Sequence, residues 1–303
     1  MISSVELSNM VVNALENSDN AERTALTQLT TGRQVNVASD GPAAAAQEVN
    51  ISTQMNNCDQ YSRSMSSIYS ELQTADSSLN SVVTALQSAI SLGTEGANGT
   101  LTQQNRNTVA QQINNVSQLV FNVANLAYNG VYVFAGTNST QPPYVWDSNS
   151  PSGVTYQGND GVNQVEIAQG QYIAVNQPGS SLFSDPSASV FGALSDLANA
   201  LQDPSSTTQD IGDAVTELRG AYDQLTSART FYGSTVDQVL STQDFVNSAS
   251  VQLAQQQNST VGVDVDVAVT NLTNAEQART ATVEAAASLN TSTLMNYLST
   301  MQR

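Results

Sequence analysis

ISTQMNNCDQYSRSMSSIYSELQTADSSLNSVVTALQSAI, residues 51–90, carries the pattern that decides the fold. The series Ile51, Met55, Cys58, Ser62, Met65, Tyr69, Leu72, Asp76, Leu79, Val83, Leu86, Ile90 advances in alternating steps of four and three, and only Ser62 and Asp76 in it are polar. A 3.5-residue repeat sustained this long marks a helix packed lengthwise on other helices. It stops near Gly93, where Gly96-Ala-Asn-Gly99 supplies a breaker.

The same rhythm continues outward. Val109, Ile113, Val116, Val120, Val123 and Ala127 predict a second helix that ends at Asn129-Gly130. Ile211, Val215, Leu218, Tyr222, Leu225, Arg229, Tyr232, Val236 and Val239 predict a third. The short Gly93–Thr102 connection makes its neighbours fold back, so these helices read as one antiparallel bundle. Between residues 131 and 189 the chemistry changes. Val131-Tyr-Val-Phe134, Val154-Thr-Tyr156, Gln164-Val-Glu-Ile167 and Tyr172-Ile-Ala-Val175 lie between Pro142-Pro143, Pro151-Ser-Gly153, Gly158-Asn-Asp-Gly161 and Pro178-Gly179. Short β-favouring runs between turn signals predict a small β domain inserted into a helical one. The expected fold is mainly α (α+β overall): a long helical bundle at 43–130 and 190–260, coiled-coil terminal helices at 1–42 and 261–303, and a β insert at 131–189.

Composition removes whole classes of function. The chain carries 26 acidic residues against eight arginines, has no lysine or histidine, and holds one cysteine, for a formal charge of −18. Without histidine there is no Ser-His-Asp triad and no imidazole ligand. Cys58 alone can build neither a thiolate cluster nor an internal disulfide. Arginines scattered singly form no stripe for phosphates, so neither nucleic acid nor anionic membrane is an expected partner. The start, Met1-Ile-Ser-Ser-Val-Glu-Leu7, lacks the basic leader and apolar core of a cleaved signal, and no stretch reaches the ~18 apolar residues of a membrane span.

The termini carry the functional signal. On a helical wheel of residues 5–17, Val5, Leu7, Met10, Val11, Val12, Ala14 and Leu15 cover an arc of roughly 220°, twice the ~100° stripe of a surface helix. At the other end Leu289, Leu294, Met295, Tyr297, Leu298 and Met301 crowd the last turns. Upstream, Ala268, Leu272, Ala275, Thr282 and Ala286 keep the three-four rhythm, broken by Arg279. A two-helix pair buries one face of each helix, and each large apolar side chain left outside forgoes ~1.5–3 kcal/mol. Neighbours from other molecules are therefore expected, with Val5, Leu7, Val11, Val12, Leu15, Leu272, Leu289, Leu294, Leu298 and Met301 as the assembly interface; the alternative is that both ends fold into one ordinary core with the bundle, since an interior helix is also apolar over a wide arc. A non-closing head-to-tail contact of this kind builds filaments.

Three motifs sharpen this. Leu29-Thr-Thr-Gly-Arg-Gln-Val-Asn-Val-Ala-Ser-Asp-Gly-Pro-Ala-Ala-Ala45 resembles the segment after the first helix of bacterial flagellin-family proteins, with Gly32, Arg33, Asn36, Asp40 and Pro42 as the matching positions. Ser39-Asp40-x-Pro42 is similar to the hook–filament junction branch of that family rather than to flagellin itself. Leu126-Ala-Tyr-Asn-Gly-Val-Tyr-Val-Phe-Ala-Gly-Thr137, with Asn129, Gly130, Phe134 and Gly136, resembles that branch's helix-to-strand passage, and Val263–Leu272 with Leu294–Leu298 its C-terminal pattern. Gly41 and Gln34 depart from it, standing where an acid and a base are common. Pro42 suits a helix opening, with Ser39 or Asp40 as its cap.

The resemblance implies a structural, non-catalytic adapter between the flagellar hook and the flagellin filament. Implied partners are the first hook-associated protein on one side, flagellin on the other, further copies of this chain in a ring, and a cytosolic export chaperone on the C-terminal segment. It implies no cofactor, and an extracellular place in the flagellum reached by type III export without a cleavable signal. A flagellin filament subunit is the alternative, and a glycan- or host-binding module on a filament scaffold a second, with Tyr144, Trp146 and Tyr156 as stacking faces. Asp147, Asp160 and Glu166 are the acids a glycosidase reading would use. Asp264 and Asp266 suit a helix start better than a calcium loop, and Cys58 reads as a small buried hydrophobe.

Overall fold

The computed structural model describes the backbone of residues 4–301 and the side chains of residue 6 and residues 8–288. In chain order the elements are α1 Ser4–Thr31, α2 Pro42–Gly96, α3 Gln103–Ala124, β1 Ala127–Tyr128, β2 Val131–Tyr132, β3 Tyr144–Trp146, β4 Val154–Tyr156, β5 Gln164–Ala168, β6 Gln171–Ala174, α4 Gly179–Phe183, α5 Val190–Gln202, α6 Thr208–Val261 and α7 Val265–Met301. The fold is mainly α with a small insert of antiparallel strands, as the periodicity implies. The chain forms two compact units: a central one, residues 58–248, and a terminal one, residues 1–57 with 249–303. The long helices α2 and α6 contribute to both. Among the described residues no helix is long and apolar enough to cross a membrane.

In the central unit, Met65, Leu72, Leu79 and Leu86 of the heptad series are buried. A further row, Ile68, Ala75, Val82 and Ala89, is buried beside them, because α2 has neighbours on two sides. Gly93 does not stop α2. A Cβ there would lie 2.7 Å from Val215 Cγ2 of α6 and 3.0 Å from Leu197 Cδ2 of α5, so the glycine lets both helices approach, and α2 runs on to Gly96. Antiparallel packing of α2 on α6 is fixed by Arg229, whose Nε and a terminal nitrogen donate to the Asp76 carboxylate at 2.9 and 3.2 Å.

One sequence expectation needs correction here. Helix α3 ends at Ala124, not at Asn129-Gly130. Asn129 (φ 50°) and Gly130 (φ 81°) form the two-residue turn of the β1–β2 hairpin, where both central residues need positive φ. The bundle also contains α5, within the 190–260 span expected to be helical, with Val190, Leu194, Leu197, Ala198 and Leu201 buried; Ser189 caps it, its hydroxyl accepting from the Gly192 N–H at 3.0 Å.

The strands pair as three antiparallel hairpins, β1–β2, β3–β4 and β5–β6. They share one core with the helices: Val133, Phe134, Tyr144, Val154, Ile167 and Ile173 belong to the same buried cluster as Leu79 and Leu218. Cys58 is half-buried against that cluster.

In the terminal unit α1 and α7 lie antiparallel. Arg33 and Gly262 form a β-bridge at one end, and Arg279 Nε reaches Asp19 at 2.8 Å further along. The buried seam residues are small: Ser18 and Ala25 on α1, Ala268 and Ala275 on α7. Small side chains let two helix backbones approach, but they remove little apolar area from water.

Candidate functional site

The family-like motifs fall at two tightly bonded corners, one in each unit. In the terminal unit, Gly32 (φ 69°) ends α1 in the left-handed conformation, its N–H donating to Gln28 O at 2.9 Å. The chain then pairs with the end of α6: Gln34 N–H donates to Val261 O at 2.7 Å, and Val263 N–H to Gly32 O at 3.1 Å. These bonds use backbone only, so the departure at Gln34 is tolerated. Arg33 forms an ion pair with Glu48 of α2, and Glu48 also accepts from Gln257 of α6 at 2.8 Å. Asn36 donates its side-chain amide to Arg33 O at 2.8 Å. The Asp40 carboxylate accepts from the N–H groups of Asn36 and Val37, both at 3.0 Å. Asp40 thus closes the loop rather than capping α2, which Pro42 opens after Gly41.

In the central unit the corner is built on Asn125, which caps α3. Its amide bonds both backbone groups of Tyr144, accepting from the N–H at 2.9 Å and donating to the carbonyl at 3.0 Å. Phe134 is fully buried and meets Phe183 edge-on, with ring centroids 5.4 Å apart. Its carbonyl accepts from the Gly179 N–H at 2.7 Å. Gly136 (φ 73°) has no room for a side chain, since a Cβ would collide with the Asn159 carbonyl oxygen. Asn159 in turn accepts from the Thr137 N–H at 2.8 Å and the Gly161 N–H at 3.1 Å. Sequence reasoning did not single out Glu48, Asn125 or Asn159, because their partners lie far along the chain.

The expected stacking faces are mostly used internally. Tyr144 is buried, donates its hydroxyl to Gly179 O at 2.7 Å, and burial pushes that hydroxyl's pKa up. Tyr156 donates to the Asn159 carbonyl at 2.9 Å. Trp146 is half-exposed, with one face stacked on Phe121 at 4.4 Å.

The acids of the glycosidase reading each serve a separate turn. Asp147 accepts from the Asn149 N–H and the Thr155 hydroxyl, both at 2.9 Å, and these bonds hold its carboxyl below the ordinary range. Asp160 accepts from the Ser180 hydroxyl, and Glu166 from the Gly170 N–H at 2.8 Å. Asp264 caps α7, accepting from the N–H groups of Asp266 at 3.0 Å and Val267 at 3.3 Å. Among the described residues no group of three or more acids and cysteines is placed to hold a metal.

Of the expected assembly residues, Val11, Leu15 and Leu272 are half-buried at the spacing of the α1–α7 seam, and Val12 is exposed. The side chains of Val5, Leu7, Leu289, Leu294, Leu298 and Met301 lie outside the described residues. On the outside of the terminal unit, Met10, Val12 and Leu26 are 49, 50 and 52% exposed, and Val265, Val267, Val269 and Val283 are similarly open.

The terminal unit thus pairs two helices closed by a Gly-Arg corner, and the central unit combines a bundle with inserted hairpins. Residues 2–139 match the bacterial flagellin N-terminal helical region. More particularly, the chain is similar to flagellar hook-associated protein 3 of Salmonella typhimurium, with 25% identity over 158 residues, 52% of this chain and 48% of that one. It therefore spans about half the length of the curated relative it matches. Its fold is that of a protein described as a flagellar hook-associated protein from Vibrio parahaemolyticus (TM-score 0.68, 18% identity, 74% of this chain and 100% of that one). It is also that of the flagellar junction protein FlgL from Legionella pneumophila (TM-score 0.58, 13% identity, 72% of this chain and 99% of that one). The resemblance read from the motifs, to the flagellin family and its junction branch, is the one these comparisons find.

Proposed function

We propose that this chain is a structural, non-catalytic subunit of the bacterial flagellum and, within it, the adapter between the hook and the flagellin filament. The observation that carries the reading is the terminal unit's inverted distribution of apolar side chains: Ala and Ser in the seam, Met10, Val12 and Leu26 outside. Each half-exposed side chain of that size would gain roughly 1 kcal/mol on being covered. Segments 1–42 and 261–303 are then the assembly segments, 43–130 with 190–260 the bundle, and 131–189 the outward insert. The partners are the first hook-associated protein, flagellin, neighbouring copies of this chain in a ring, and an export chaperone that holds the C-terminal segment in the cytosol. Export proceeds without a cleavable signal to an extracellular site.

Seeded growth tests it. Isolated hooks that carry the first hook-associated protein are mixed with this chain, then with flagellin, and imaged. The expected result is a single added layer that permits filament growth, lost on deletion of residues 1–40 or 262–303 while the remaining bundle keeps its helical circular dichroism. Micrometre-long homopolymers would make the chain a filament subunit instead. Loss of the bundle on either deletion would place the terminal helices in the monomer's own core.

A further inference from the structure

The chain holds two Asn-Gly pairs, Asn98-Gly99 between α2 and α3 and Asn129-Gly130 in the β1–β2 hairpin. The fold explains the second glycine and not the first. Gly130 has φ 81°, which a residue with a side chain rarely adopts. Gly99 lies outside the left-handed region, and an added Cβ would meet only Thr208 Cγ2, at 3.7 Å, an ordinary van der Waals contact. Residues 98–100 are exposed, and the Gly99 N–H donates to none of the described residues. What the turn does hold is the Asn98 side chain. Its amide oxygen accepts from the Thr100 N–H at 3.2 Å and from the Thr100 hydroxyl at 3.0 Å, which draws the side chain forward across the Gly99 peptide.

We infer that Asn98 is a site of spontaneous deamidation and that Thr100 promotes it. The Gly99 nitrogen, giving its proton to solvent hydroxide, attacks Asn98 Cγ. The new N–Cγ bond closes a succinimide ring and puts negative charge on Oδ1. Collapse of that intermediate breaks the Cγ–Nδ2 bond, and ammonia leaves with a proton taken from water. Water then opens the ring, giving aspartate by attack at the Cγ carbonyl and isoaspartate by attack at the main-chain carbonyl. Charge on an acceptor strengthens its hydrogen bonds, so the two Thr100 donors hold the oxyanion more tightly than the neutral amide and lower the barrier. Asn129 lacks this setting. Its φ of 50° and the pairing of Tyr128 with Val131 hold it left-handed, where the next nitrogen stands away from Cβ, so the ring closes only if the hairpin opens. Either product at 98 adds a carboxylate just past the end of α2, whose last turn has no basic residue to offset it. Isoaspartate also lengthens the main chain inside the turn that the Leu101 N–H closes on Asn98 O at 3.1 Å.

The test ages the full-length chain in mildly alkaline buffer, with its helical circular dichroism followed throughout. Deamidation is mapped by peptide mass spectrometry with chromatography that separates aspartate from isoaspartate. Asn98 should react several-fold faster than Asn129 in the folded chain, and the two rates should converge in urea, where the fold no longer acts. Thr100→Val removes only the hydroxyl donor, from an exposed position, and should slow Asn98 several-fold while leaving Asn129 unchanged. Thr100→Ser should restore the rate. Gly99→Ala, for which the turn has room, should nearly abolish reaction at Asn98. Reaction at Asn98 no faster than at Asn129 in the folded chain would overturn the inference. So would a difference that persists in urea, or a Thr100→Val rate equal to that of the unaltered chain.

Discussion

The two units are built from the same material, long helices rich in Ser, Thr, Asn, Gln and Ala with a seven-residue apolar rhythm, yet they dispose of their apolar side chains in opposite ways. In the central unit the seams carry Met65, Leu72, Leu79, Leu86, Leu218 and Leu225, all buried, and the hairpins add Phe134, Tyr144, Phe183 and Phe191 to the same core. In the terminal unit the buried apolar residues among the described side chains are Ala25, Ile51, Val261, Ala268 and Ala275. Other large side chains of that unit, among them Met10, Val12, Leu26 and Val283, stand outside. A heptad pattern therefore says that helices will pack along their length. What the seam residues weigh decides whether that packing completes a core within one chain or leaves apolar surface for other molecules.

The largest expected effect tests this contrast directly. Phe134→Ala removes a fully buried ring and its edge contact with Phe183, and should cost the central unit ~3–5 kcal/mol, read as a fall in the urea midpoint. Met10→Ser and Val12→Ser, at the exposed face of α1, should change the stability of the isolated chain by less than ~0.5 kcal/mol. They should nonetheless weaken incorporation on hooks. A serine variant that destabilised the free chain as much as Phe134→Ala would erase the distinction between the units.

The corner glycines offer a finer comparison, since they share a backbone conformation and differ in surroundings. At Gly32 nothing lies within 4 Å of a Cβ, so Gly32→Ala meets only the left-handed penalty, ~1–2 kcal/mol. At Gly136 the same penalty is joined by a collision with the Asn159 carbonyl, which cannot retreat without breaking the bonds Asn159 makes to Thr137 and Gly161. Overpacking of this kind adds ~1–3 kcal/mol. Equal shifts in the denaturant midpoint for the two alanine variants would mean that the central corner yields as easily as the terminal one.

Much of this was legible in the sequence, and the failures have identifiable causes. The α2 rhythm found the buried leucines because they repeat along one uninterrupted helix. Asn129-Gly130 was misread because an Asn-Gly pair supplies positive φ equally to a helix end and to a hairpin turn. What ends α3 earlier is the Asn125 amide, held by Tyr144 across a loop that no local pattern describes. Helix α5 falls inside the expected bundle span, and its short three-four spacing, Val190, Leu194, Leu197 and Leu201, supplies the buried face. At the corners the motif residues were named correctly, while Glu48, the acid that receives Arg33, lies a full turn inside α2 with nothing local to mark it. The small seam of α7 was readable from Ala268, Leu272 and Ala275; its counterparts Ser18 and Ala25 lie beyond the end of the helical wheel drawn on α1.

The smallest effect concerns the polar residues that interrupt the rhythm. Asp76 and Arg229 break the seams of α2 and α6, and they meet each other: the guanidinium makes two bonds to the carboxylate and a third, at 2.8 Å, to Asn80. Arg279 breaks the seam of α7 and reaches Asp19 and Glu22 on α1. Each interruption thus fixes which turns face one another, a use of seam polarity known from coiled coils. Their weights should differ because solvent reaches them differently. The Arg229–Asp76 side chains are 30 and 33% exposed and paired in fork geometry, so Arg229→Gln should cost ~1–2 kcal/mol. The Arg279–Asp19 side chains are 52 and 40% exposed, where screening and lost side-chain entropy leave less than ~0.5 kcal/mol. Raising the salt concentration should shrink the smaller difference first. If Arg279→Gln instead matched Arg229→Gln, the α1–α7 seam would be as well shielded as the bundle, and its small residues would be packing a core after all.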